Sequence, residues 1–278
     1  MKNITLFLLL AFGFHTIGYT QDTEKVKGDR NVTIKQTYVD AFNSIIVGED
    51  FEVELYYNSK PSVEIETDDN LHQYIQIEVV DSVLTFKTTT DIRSRKELKI
   101  KVNYTNGFAH IETRDNAEVR SLTSLELNDS SLKCTGSSRA YLNIKATNFN
   151  FISLDKAKVK LNLNASKAKF ELSDNCKLDA LVNAKETKVD LYQRANIDIE
   201  GTTDNLLLVS DNNAQFNGKD FTSKTCTAIC EFASDAYIEA TESIIIETSG
   251  SSEIYLYANP KITINRFLDT AKLQKKEK

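Results

Sequence analysis

The chain of 278 residues contains two prolines, nine glycines, three histidines, four cysteines and no tryptophan. Each shortage excludes something. Pro61 and Pro260 leave the whole middle of the chain proline-free; such a stretch suits central strands, which cannot spare a backbone donor. Scarce glycine and the absence of a Gly-Gly-x-Gly-x-Asp repeat exclude the calcium-binding β-roll. A calcium ion at an Asp/Asn corner would then have to gather about six to eight oxygens without that scaffold. Past the leader, the histidines are His72 and His110, remote from each other and from any Ser or Cys constellation. Cys134, Cys176, Cys226 and Cys230 lack the tight paired spacings of a zinc site. They are expected to be free, buried thiols, although a bend between Cys226 and Cys230 would let those two pair. There is no excess of basic residues: 34 Lys and Arg stand against 40 Asp and Glu, a net charge of −6. That balance excludes nucleic acid as partner and electrostatic capture by anionic membranes.

Long apolar runs are also lacking, with one exception at the start. Residues 1–20 place Lys2 before an apolar segment from Ile4 to Phe14, with Gly18 and Thr20 ahead of a cut near Gln21. This is the grammar of a secretory signal peptide. The segment is shorter than the roughly 20 residues a membrane span needs, so the mature chain is expected to be exported with no integral membrane segment. Removing Lys2 takes the net charge from −6 to −7. The first cysteine is Cys134, which leaves no site for a lipid anchor near the cut.

What the chain has is a period. Val159, Leu178, Ile197 and Phe216 are 19 apart, as are Leu132, Phe151, Phe170, Val189, Leu208, Thr227 and Ile246. The first ladder continues less evenly, to Ile238 and Ile254 after Phe216 and back through Leu142 to Val119. Around these positions short segments alternate apolar with polar: AKVKLNL (157–163), AKFEL (168–172), CKLDALV (176–182), TKVDL (187–191), ANIDI (195–199). Alternation of period two marks strands, and a fixed repeat of this length marks a solenoid. The spacing predicts an all-β fold, a parallel β-helix of about 19 residues per coil built from strands of about five residues. Small residues lie two before each large one (Ala157, Cys176, Ala195, Ala214), where a tight corner leaves little room. The corners use Asp155-Lys156, Asp174-Asn175, Gln193-Arg194 and Asn212-Asn213, residue types that tolerate left-handed backbone angles.

The organisation expected is a signal peptide at 1–20, an N-terminal β section at 36–104, the repeat with its closing strands at 105–267, and a polar tail at 268–278. In 36–104 the strands are longer and no fixed repeat appears; this section is expected to form wider first coils or a cap over the end of the stack. The tail is expected to be a solvated, partly disordered end.

Two stretches carry a family resemblance. At 38–86 these are the strand around Phe42 and Ile45–Val47, the strand Val53–Leu55, the turn Asp69-Asn70-Leu71 and the strand at Val83-Leu84. At 249–267 it is SGSSEIYLYANPKITINRF. The chain resembles the auto-transporter adhesins with the head GIN domain, a Bacteroidota-type exported domain of unknown function, over roughly 36–267. The resemblance implies a right-handed parallel β-helix, a periplasmic or cell-surface setting and no catalytic residues. The chain departs from the family's glycine-rich corners, keeping Gly250 but favouring Asn, Asp and Ala.

Asp155 and Asp174 fall on adjacent rungs with Asp211 nearby, but Gln193 breaks the row, and glycosidic work needs a maintained carboxylate pair. Glu171, Asp190 and Asp198 read as an ordinary solvated face beside Lys169 and Lys188. Tyr56, Tyr57, Tyr255 and Tyr257 read either as sugar-stacking platforms or as cover for strand faces. The sequence thus points to a non-enzymatic surface or periplasmic module with no catalytic, cofactor or metal site. Its partner would be an envelope protein or a surface glycan; the alternative is a glycan-binding or polysaccharide-active β-helix.

Overall fold

The structure is a computed structural model that describes residues 25–278; the expected signal peptide lies outside the described residues. The chain forms a parallel β-solenoid of about nine turns, rungs roughly 19 residues apart. Each central coil is one long strand: Arg139–Ser153, Lys158–Leu172, Lys177–Leu191, Asn196–Ser210, Gln215–Cys230 and Asp235–Thr248. The five-residue strands read from the sequence are therefore halves of continuous strands. The sequence breaks into two runs because the inward set changes phase: Val159, Leu161 and Leu163 are buried, then Ala168, Phe170 and Leu172. A strand that keeps its ladder while slipping its alternation bends, and two walls close on one core.

The columns run in register. Val159 pairs with Leu178, Leu178 with Ile197 and Ile197 with Phe216, and the other ladder holds from Leu132 to Leu208. Outside that span the true neighbours are small. Ala140 rather than Leu142 lies beneath Val159, Ala236 rather than Ile238 follows Phe216, and Ala228 rather than Thr227 follows Leu208. The small-residue column is as expected at Ala157, Cys176, Ala195 and Ala214, all buried, and continues through Ser234 and Ser252. All four cysteines are free and buried.

At the N-terminal end, Ser44–Val47 and Glu52–Tyr57 form the coil that stacks on His110–Thr113 and Glu118–Ser121. The intervening chain folds back beneath that coil. Val83–Thr88 runs parallel to Ser44–Val47, and Leu98–Tyr104 parallel to Glu52–Tyr57. Val32–Tyr38, Ser62–Asp68 and Leu98–Tyr104 then pair antiparallel across the end. Wider coil and cap are thus one construction, and the aliphatic columns end at Leu84 and Ile100 with both side chains buried.

At the other end, Glu253–Tyr257 and Lys261–Phe267 each pair parallel with Asp235–Thr248. The polar tail continues the stack: Lys272–Lys275 pairs with Glu253–Tyr257 and Ala271 is buried in the small-residue column. Its lysines face out, so composition alone reads as a loose end, whereas Ala271 and Leu273 fill inward places.

Candidate binding groove along one wall

The phase slip that bends each strand makes a valley. Between Leu163 and Ala168 the chain turns outward, and the same slip recurs between Val182 and Thr187 and between Ile144 and Phe149. Stacked slips raise a ridge of corner residues beside the outward face of the second wall. A groove of about 1020 Å³ runs between them. One rim is Asp129, Asn148, Lys167, Glu186, Asn205 and Thr225; the other begins at His110 and Ser131 and passes through Asn150, Lys169 and Lys188 to Thr227. Seven rungs at the strand spacing give a length of about 30 Å. Phe149, Ala168 and Leu206 form the floor.

The rims are tied together from rung to rung. The Asn148 amide donates to Asp129 Oδ1 (2.6 Å), Thr225 Oγ1 donates to Asn205 Oδ1 (2.7 Å), and Lys167 pairs with Glu186 (2.9 Å). His110 Nδ1 and Ser131 Oγ are 2.9 Å apart. Lys169 and Lys188 pair with Glu171 (3.3 Å) and Asp190 (3.0 Å) on their own strands. The groove lysines are therefore paired before any ligand arrives, and the Asn150 Oδ1 atom is shielded with no hydrogen-bond partner among the described residues. Such a surface suits a long, polar, uncharged occupant: fixed amides and hydroxyls over an apolar floor give orientation without net charge.

The carboxylates singled out from the sequence lie elsewhere. Asp155 and Asp174 are brought together at the corners, but each serves the backbone. Asp155 Oδ2 accepts the Gly136 N–H (2.8 Å) and Asp174 Oδ2 accepts the Asp155 N–H (3.1 Å). Asp211 is one residue off this column and accepts the N–H of its neighbour Asn212 (2.6 Å). Asp190 is not on a solvated face: it is buried, and its ion pair with the half-exposed Lys188 is what accompanies its charge.

The tyrosines divide. Tyr56 donates to Glu54 (2.8 Å), with burial first and that carboxylate second raising its phenol above the ordinary value. Tyr57 packs edge-on to Tyr104 at the capped end. Tyr255 donates to Glu253, which pushes its phenol up to about 12, and stacks on Tyr237 at 4.5 Å. Tyr237 was missed from the sequence; its signal was its place 18 residues before Tyr255, the local coil length. His72 lies near Thr33 (3.0 Å) in the cap, and its imidazole is held below the ordinary value by burial and then by Lys35. The thiols of Cys134 and Cys230 are pushed up to about 12 by burial. Among the described residues no group of three or more His, Cys, Asp or Glu side chains could hold a metal ion, and no helix is long and apolar enough to cross a membrane.

A stack of in-register coils, capped at one end and grooved along one wall, defines a parallel β-solenoid module. The chain belongs to the family described as "Putative auto-transporter adhesin, head GIN domain", whose pattern matches residues 41–181 and again 153–260. No curated protein matches it. Among solved structures it is similar to a "putative adhesin" from Parabacteroides distasonis, at 20% identity and a TM-score of 0.65 over 90% of this chain and 100% of that one. A "putative adhesin" from Parabacteroides merdae gives 16% and 0.62 over 91% and 99%. A "Putative lipid binding protein" from Parabacteroides distasonis gives 15% and 0.63 over 91% and 100%. At these identities the likeness establishes the fold.

Proposed function

We propose that the protein is an exported, adhesin-like binding module of the cell surface or periplasm, without enzymatic activity, whose groove holds an extended partner. The observation that carries this reading is the unbroken run of the groove over seven rungs, its lysines already paired. A long chain lying along the stack meets a similar ladder at every rung, so many weak contacts sum without any single deep pocket. The family's adhesin description and the signal-peptide grammar of residues 1–20 support an exported setting. A surface glycan or an extended segment of an envelope protein is the class of partner that fits. That the corner carboxylates serve the backbone supports a binding reading over a hydrolytic one.

The test is binding of the purified chain to a glycan array and to envelope extract, alongside Asn150→Trp, which fills the groove from its rim without touching the core. Selective capture that falls at least about tenfold in the variant supports the groove. Capture that Asn150→Trp leaves unchanged, or release of products from pectin, alginate or a glycosaminoglycan, overturns the reading.

A further inference from the structure

On the other wall the register of the stack breaks at one strand. Gly218 pairs with Ile238 and Thr222 with Glu239, so Lys219, Asp220 and Phe221 are extra relative to the next coil. Phe221 turns in and is buried, and Lys219 and Asp220 both lie in solvent. Bulges of this kind re-aim side chains and recur beside functional sites. Next to this one lies a separate hollow of about 390 Å³, bordered by Asn196, Asp198, Asn217, Lys219, Tyr237 and Tyr257.

The hollow combines an aromatic plate with a fixed polar rim. Tyr255 stacks on one face of Tyr237, with 16° between the rings. Tyr237 and, from the next coil, Tyr257 border the hollow. The Asn217 amide donates to Asp198 Oδ1 (2.7 Å), and Lys177 reaches both Asp198 and Asp179 at 3.3 Å, so the carboxylate is held in place while one ammonium serves two carboxylates. The Asn196 amide donates to Gln215 Oε1 (2.9 Å), while its own Oδ1 is shielded from solvent and has no partner. Among the described residues the Lys219 ammonium pairs with Asp220, at 3.9 Å. A carboxylate fixed by an amide, an exposed ammonium and a tyrosine ring border one small space.

We infer that this hollow is a binding site for a single neutral pyranose unit, the end or a branch of a glycan. A pyranose presents C–H bonds on one face and adjacent hydroxyls at its edge. The face suits Tyr237, and the hydroxyls suit Asp198 and the Lys219 ammonium. The volume falls in the usual range for small-ligand pockets, and the carboxylate of Asp198, whose Lys177 is shared with Asp179, favours a neutral sugar over an acidic one. The site stands on its own wall and does not depend on the groove.

The experiment is saturation-transfer NMR of the purified chain with glucose, galactose, mannose and N-acetylglucosamine, each titrated separately. At least one is expected to bind saturably in the millimolar range. Lys219→Ala, a change at an exposed bulge, should weaken that sugar about tenfold with the melting temperature unchanged. Tyr237→Ala should abolish binding, and Asn150→Trp in the groove should leave it intact. A panel with no saturable binder, or a binder whose affinity survives Lys219→Ala, overturns the assignment.

Discussion

Glu49, Asp115, Asp155, Asp174, Gln193, Asn212, Phe232 and Asp269 share a φ between 53° and 63°, and Gly136 and Gly250 take the same corner at 69° and 71°. One left-handed residue per coil is what a four-residue corner requires, and Asp and Asn adopt that conformation more readily than other side-chain-bearing residues. The carboxylate adds a second contribution, since it receives the N–H of the corner residue one rung below. Glu49 donates to Asp115 (2.9 Å), Gly136 to Asp155 and Gly250 to Asp269 (2.9 Å). Asp155→Ala removes that acceptor and leaves a β-carbon with no local compensation at φ 62°, so it should cost about 1–2 kcal/mol in chemical denaturation. Asp155→Asn keeps both an acceptor and the tolerance, and should stay within about 0.5 kcal/mol of the parent. Equal losses in the two variants would mean that the negative charge itself is needed, and would reopen a chemical use for the corner row.

Among elements, the first strand, Lys25–Lys27, pairs parallel with Asp91–Ser94, and one buried carboxylate ties together the segments that follow both strands. Asp68 accepts the backbone N–H of Arg30 and of Lys96 (2.7 Å), and Gly28 passes so close that a β-carbon there would lie 2.5 Å from the carboxyl carbon. Burial raises the Asp68 pKa, but the N–H donors of Lys96, Arg30 and Glu97 outweigh it and hold the group below the ordinary 3.8. A folded-state value lowered in this way contributes stability above the unfolded value and loses it as the pH falls through the folded one. Acidification below about pH 4 should therefore release residues 25–31 while the central coils remain protected, as read by pulsed hydrogen exchange. Asp68→Asn should reproduce that release at neutral pH, because its NH₂ faces an N–H donor. If the first strand and the coils lose protection at the same pH, the anchor is not local to Asp68. None of this was legible in the sequence, where Asp68 merely precedes the turn Asp69-Asn70-Leu71. Its function depends on Arg30 and Lys96, 38 and 28 residues away. The cap was half-legible for the same reason: Ile45 meets Ile111 across a 66-residue gap, and a period cannot reveal a contact that occurs once.

The whole molecule was readable where large side chains repeat. Val159, Leu178, Ile197 and Phe216 announce the coil, whereas Ala140, Ala228 and Ala236 hold inward places that a search for large apolar residues skips. The groove and the hollow were not readable, because one arises from a phase slip and the other from a bulge, and neither changes composition. If the stack is a one-dimensional sum of coils and the interfaces between them, a whole repeat is removable. Deleting 158–176 joins Ala157 to Lys177 and removes 19 residues, one coil in the measured register. Arg139–Ser153 would then pair directly with Lys177–Leu191, with Ala140 beneath Leu178 and Phe151 beneath Val189. The product should fold with an unchanged far-ultraviolet spectrum, a melting temperature lower by a few degrees, and a length by small-angle scattering shorter by about 4.8 Å. Deleting 158–175 instead removes 18 residues and shifts the following strand by one place. Lys177 would then face the core and Leu178 the solvent, an inversion that no local repacking repairs. That variant should be insoluble or unfolded. Two deletions of equal consequence would refute the column assignment, since chain length alone would then decide the outcome.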